Sequence, residues 1–246
     1  MDFLSGLAGV LGVCLNIYHA GESENGVKKK VWELIVEIAE TLVAGVKAVD
    51  NSCVTWCENG DIGYAHGNAG IIAQLARYYN ITHDIKVKRI IDMALNYERK
   101  YHFNPEKKFW TFRHNVHYFS WCNGIAGLLL EKVILLKCGW DDPSLYKELS
   151  LLIEQLKGTG FGTDISICHG DMGSIQILKF ASVFLNDKEL YNQCENTKSN
   201  FVDWFLDFKL KEYKYLEDWG LMTGITGIGM SLVDNENQIV DILCLM

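Results

Sequence analysis

A glycine pair recurs along this chain and restricts its folding more than any other feature. GLAGVLG begins at Gly6, GNAGIIA at Gly67, GIAGLLL at Gly124, GDMGSIQ at Gly170 and GITGIGM at Gly224. The intervals between these glycines are 61, 57, 46 and 54 residues, irregular yet all near fifty, and each G-x-x-G opens a very apolar run. A period of this size marks one supersecondary unit stacked on copies of itself.

Between the copies the pattern changes. Residues 27–49 place Val27, Val31, Leu34, Ile35, Ile38, Leu42, Val43 and Val46 on one stripe with Lys and Glu opposite, the 3.6-residue period of an amphipathic helix. Residues 142–157 repeat this with Leu145, Leu149, Leu152, Ile153 and Leu156 after an Asp142-Pro143 start suited to a cap and first turn, and residues 85–97 do so more weakly. The runs after the glycine pairs, such as GLLLEKVILL and SIQILKFASVFL, are apolar nearly all round and call for burial. Buried helix followed by amphipathic helix, repeated, predicts an all-α fold with an inner and an outer layer. The glycine turns would then gather at one end, where the residues beside them share a space.

The formal charge of −8 and pI near 5.4 argue against a phosphate-binding surface for nucleic acid as the main function; the run Lys28–Lys30 reads as a solvated helix start. There is no basic segment followed by a cleavable apolar stretch, and no apolar run of about 18 residues, so neither secretion nor a membrane span is expected and the chain reads as cytosolic. Its 8 cysteines lie in a chain long enough to build a full core, which favours free thiols or metal ligands over a disulfide framework. Cys14, Cys138, Cys194 and Cys244 have apolar or helical neighbours and read as packing residues. Cys53 and Cys57 form C-x3-C with no second pair nearby.

Chemistry collects at the glycine turns. Asp2 precedes the first pair (DFLSGLAG), His66 the second (YAHGNAG), Cys122 the third (WCNGIAG), Cys168 and His169 the fourth (ICHGDMG), and Thr223 the fifth, with Asp218 upstream (DWGLMTGITG). A packing position would carry Ala, Leu or Val. Two thiols and an imidazole at converging helix starts make a plausible zinc site, with three protein ligands leaving a fourth position open to substrate.

FSWCNGIAG, SICHGDMG, GYAHGNAG and GLMTGITGIGMSLV, spread over almost the whole chain, resemble the lanthionine synthetase C-like family, specifically the C-terminal cyclase domain of class II lanthipeptide synthetases. The resemblance implies one α/α toroid domain over residues 1–246, with zinc held by Cys122, Cys168 and His169. It implies Michael addition of a cysteine thiol to dehydroalanine or dehydrobutyrine in the same precursor peptide, closing a thioether ring. His66 corresponds to the acid that protonates the resulting enolate, and Asp2 to a nearby carboxylate; Asp2 also suits a helix-capping role. The expected partner is a dehydrated lanthipeptide precursor.

Where this chain differs from the family, further expectations follow. The family's toroid has seven hairpins and five glycine signatures occur here, so the arc is expected to be incomplete at its N-terminus and to expose apolar helix faces. With no dehydratase domain in these residues, the chain would act on another enzyme's product, join a separate dehydratase or N-terminal synthetase chain, or be a remnant. Asn123 stands where an aromatic or histidine often follows the first zinc cysteine, and Tyr118 where some members have arginine; Arg113 is the nearest upstream basic residue, and His114 and His117 are alternative donors. Two other functions compete: a non-catalytic zinc-containing peptide-binding protein, and an enzyme adding glutathione-type small thiols. A toroidal glycosidase is excluded, because it needs paired carboxylates where these turns offer thiols.

Overall fold

The computed structural model describes residues 1–20, 25–58, 60–112, 119–158, 164–208, 218–233 and 238–245, the side chains of Asn25 and 204–208 excepted. Helices dominate, in the predicted alternation. Each glycine pair opens an inner helix: α1 (Leu7–His19), α3 (Asn68–Thr82), α5 (Ile125–Lys137), α7 (Asp171–Leu185) and α9 (Ile225–Val233). The amphipathic segments form α2 (Asn25–Ala44), α4 (Ile85–His102), α6 (Ser144–Gly158) and α8 (Lys188–Phe208), each packed on the inner helix before it. Successive inner helices pack side by side, α1 on α3, α3 on α5, α5 on α7 and α7 on α9, so the hairpins form an arc.

The second glycine of each pair exists for space. A Cβ on Gly9, Gly70, Gly127, Gly173 or Gly227 would land on the backbone carbonyl oxygen of Phe3, Tyr64, Trp121, Ile167 or Leu221, always six residues earlier. The turn therefore folds back onto the first turn of its own helix, and only a missing side chain allows that approach. Gly173→Ala is expected to destabilise the protein by roughly 1–3 kcal/mol. Gly229→Ala, on α9 where an added Cβ meets nothing within 4 Å, should be neutral or stabilising through helix propensity; thermal melts of the two variants check the contrast.

The amphipathic stripes bury as their period requires, with adjustments. Leu145, Leu149, Leu152, Ile153 and Leu156 of α6 are all buried, and Asp142 Oδ1 accepts from the Ser144 amide at 2.9 Å at its start. On α2, Ile35, Ile38 and Leu42 are buried while Val27 and Leu34 face solvent. That helix stops at Ala44, and Lys47–Ala48 (β1) pairs with Val54–Thr55 (β2) in a short antiparallel hairpin, as Phe103–Asn104 (β3) does with Phe109–Trp110 (β4). On α1, Val10, Val13 and Ile17 form an exposed apolar stripe.

Two features go beyond the pattern. The last helix, α10 (Gln238–Cys244), packs against α7, burying Ile239, Val240, Leu243 and Cys244. Its C-terminal carbonyls are capped from α3: Gln74 Nε2 donates to Cys244 O at 2.9 Å and Arg77 Nη1 to Leu245 O at 2.7 Å. Inside the apolar run of α5, Lys132 is buried between Glu98 of α4 (2.6 Å) and its neighbour Glu131 (2.9 Å). Next door, Arg99 pairs with Glu148 (2.6 Å) and Asp142 (2.7 Å). Among the described residues no helix is long and apolar enough to cross a membrane.

Candidate functional site

Counted back from the first glycine of each pair, two adjacent positions carry the chemistry, and each does a different job. The residue two places before it is Leu4, Ala65, Cys122, Cys168 and Met222 in turn; the residue one place before is Ser5, His66, Asn123, His169 and Thr223.

The first of these rows is a backbone ladder. Leu4 N donates to Ala65 O at 3.0 Å, Ala65 N to Cys122 O at 3.0 Å, Cys122 N to Cys168 O at 3.3 Å, and Cys168 N to Met222 O at 2.9 Å. Each of the first four turns thus donates to the next, which satisfies main-chain groups that no helix uses. It also holds the turns in strict register. Cys122 and Cys168 occupy neighbouring rungs, so their side chains converge although 46 residues separate them.

Convergence here has the dimensions of a metal site. One donor atom each from Cys122, Cys168 and His169 lie within 4.8 Å of one another, and His169 Nδ1 is 3.4 Å from Cys122 Sγ. Tetrahedral zinc with sulfur and nitrogen ligands needs donors roughly 3.5–3.8 Å apart, so the trio matches with slight closure. The donor set fits chemically as well, since two thiolates offset the charge of a divalent ion. Among the described residues no other such trio of His, Cys, Asp or Glu occurs.

At Cys122 the electrostatics favour thiolate. The Cys168 thiol hydrogen-bonds Cys122 and holds the Cys122 thiol below its ordinary value, against the penalty of burial, with His169 and Ser120 adding to the effect. Cys168 is pushed up in return, and His169 is raised by its bond to Cys122. Ser120 Oγ lies 3.5 Å from Cys122 Sγ. The N-termini of α5 and α7 begin just beyond the two cysteines, and their positive ends stabilise negative sulfur.

One rung from Cys122, His66 meets Asp2. His66 Nδ1 is 3.1 Å from Asp2 Oδ2, while Asp2 Oδ1 accepts from the Ser5 amide at 2.8 Å. The carboxylate therefore bridges its own turn and the histidine of the next; the N-cap of α1 is Gly6. Burial works to raise the Asp2 carboxyl, but the hydrogen bonds from Ser5 and His66 outweigh it and hold the group below its ordinary value. His66 stays exposed.

Sequence reasoning missed what braces these turns. Asp61, Asp164 and Asp218 each lie six places before the first glycine, and each Oδ1 accepts an amide two residues on, from Gly63 (3.1 Å), Ser166 (2.7 Å) and Gly220 (2.7 Å). Their backbone carbonyls accept from Asn68, Asp171 and Ile225, the first residues of α3, α7 and α9. The signal was present as D-x-[GS]-x-x-x-G in three copies. Cys57 donates to His66 O at 3.4 Å and Cys53 is buried; neither joins the trio. Arg113, His114, His117 and Tyr118 lie outside the described residues.

A comparison with curated proteins gave no match. Among solved structures, nisin cyclase superposes with a TM-score of 0.69 at 20% identity, covering 94% of this chain. The chain spans 62% of that structure's length. The likeness shows an α/α toroid fold. The family model described as lanthionine synthetase C-like protein matches residues 1–242, and the chain therefore belongs to that family.

Proposed function

We propose that this protein is a zinc-dependent thioether cyclase that adds cysteine thiols to dehydroalanine or dehydrobutyrine in a dehydrated lanthipeptide precursor. The observation that carries this reading is the meeting of Cys122, Cys168 and His169 on adjacent rungs of the turn ladder, one rung from the Asp2–His66 pair. Zinc held by the trio would supply deprotonation of a substrate thiol, whose ordinary pKa of about 8.5 leaves it mostly protonated at neutral pH.

The remaining work falls to the chain's own residues. After the carbon–sulfur bond forms, the α-carbon of the acceptor needs a proton, and that role falls to His66, one rung from Cys122. Asp2 takes the Nδ1 side of the ring, so the transferable proton sits on Nε2. Because its carboxyl is held low, Asp2 is ionised throughout the neutral range and can orient the His66 ring through Nδ1. A cytoplasmic place of action suits the 8 free cysteines, and the dehydrated residues would come from a separate dehydratase.

Zinc analysis of the purified chain, followed by thiol loss on a pre-dehydrated peptide, tests the proposal. Stoichiometric zinc with thiol consumption supports it, and a folded protein without zinc overturns it. His66→Ala is expected to keep its zinc and slow thiol addition by roughly 10²–10⁴-fold, with a smaller loss for Asp2→Asn.

A further inference from the structure

Asn123 holds the place in its turn that His66 and His169 hold in theirs, and all three lean toward the preceding turn. His169 reaches back to Cys122 and His66 back to Asp2. Asp2 lies four places before its glycine, and the residue at that place in the second turn is Gly63. Asn123 packs there: a Cβ added to Gly63 would meet the Cys122 carbonyl, Asn123 Cα and Asn123 Oδ1. His66 finds a carboxylate at this place, whereas Asn123 finds bare backbone.

The carboxamide is consequently incomplete. Asn123 Oδ1 is buried with no hydrogen-bond partner, the backbone amide is fixed by Ser120 Oγ at 3.2 Å, and the side chain is half-buried. A planar carboxamide whose oxygen is packed against Gly63 turns its Nδ2 donors away from that glycine. Asn123 stands between the rung of His66 and the rung of Cys168 and His169, which leaves those donors for a ligand bound beside Cys122.

We propose that Asn123 is a catalytic hydrogen-bond donor to the carbonyl oxygen of the dehydroamino acid under attack; this rests on the cyclase reading above. In that addition the substrate thiol loses its proton to solvent, which in turn replaces the one His66 gives, and a sulfur lone pair forms the bond to the β-carbon. The π pair of the alkene moves onto the α-carbon and the adjoining carbonyl oxygen. A proton from His66 then forms the new bond at the α-carbon and restores the carbonyl. Negative charge on the oxygen peaks between these two events, so a fixed neutral donor stabilises the transition state more than the bound substrate. Asn123 has no proton to give up at neutral pH, which divides the labour: Asn123 holds the oxygen and His66 supplies the proton.

Asn123→Leu and Asn123→Asp remove the donor, one without charge and the other without change of shape. Both are expected to lower kcat about 100-fold, the loss typical of one donor at such a position, with KM, zinc content and melting temperature near those of the parent. Asn123→His, which restores an N–H, should recover kcat to within about tenfold of the parent. The proposal is overturned if either Leu or Asp leaves kcat within about threefold of the parent, or if the loss follows loss of zinc. A parent protein that binds zinc and consumes no thiol would overturn the cyclase reading itself, an outcome read on the unmutated chain and so distinguishable from failure of the Asn123 assignment alone.

Discussion

Cys122→Ala and Cys168→Ala should each abolish stoichiometric zinc binding and, with it, thiol consumption. The two sulfurs sit on adjacent rungs with His169 Nδ1 3.4 Å from Cys122 Sγ, so losing either leaves two donors where three converge. Removing even an outer partner of a ligand weakens metal affinity by roughly 10–100-fold, and loss of a ligand itself should exceed this. The helices should survive, because the ladder bonds belong to the backbone and alanine keeps them. Cys138→Ala, at the far end of α5, serves as the control and should keep full zinc. Retention of one zinc per chain in both Cys122→Ala and Cys168→Ala would place the metal elsewhere.

The second large effect lies in the scaffold. Lys132→Met should cost about 3–5 kcal/mol, the usual penalty for leaving a buried charge uncompensated, because Glu98 and Glu131 are fully buried and Lys132 bonds both. Burial raises the carboxyls of Glu98 and Glu131 above the ordinary value, and Lys132 only partly opposes it. Relative to the unfolded chain, the native state therefore binds protons at these carboxyls more readily. Such groups contribute stability that is complete below the unfolded value of 4.5 and is lost as pH rises through the folded values. The Lys132→Met deficit should accordingly shrink between pH 8 and pH 5, and Glu131→Gln in that background should recover part of it. Denaturant unfolding at the two pH values measures this; an equal deficit at both would mean that the cluster's ionisation does not matter.

These expectations differ in how far the sequence reached them. The glycine pairs and their apolar runs were enough for the helices and the two layers, since the cause is local: each second glycine meets a carbonyl six residues away. The trio Cys122, Cys168 and His169 was visible because repeated turns imply repeated surroundings. The turns seemed to hold one chemical position, however, and the ladder resolves it into two, with thiols at one and imidazoles at the next.

What lies beyond the repeat was hidden. Glu131 and Lys132 lie in a run read as apolar nearly all round, and only the approach of α4 supplies the ion partner Glu98. Placement of α10 against α7, with its carbonyls capped from α3 across 170 residues of chain, has no counterpart in periodicity. The gap at Gly63 that leaves Asn123 Oδ1 without a partner likewise depends on two turns 57 residues apart in sequence.

By itself, then, the sequence determined that this chain makes helical hairpins opening at glycine turns, and which of its cysteines and histidines those turns carry. Local sterics and side-chain periodicity act within a few residues and leave their record in spacing. The tertiary structure alone decided which turns are neighbours, which side chain leans on which, and where a polar group is left wanting a partner. Those depend on how much the arc curves from one hairpin to the next, and that curvature is set by the packing of inner helices that meet only after folding.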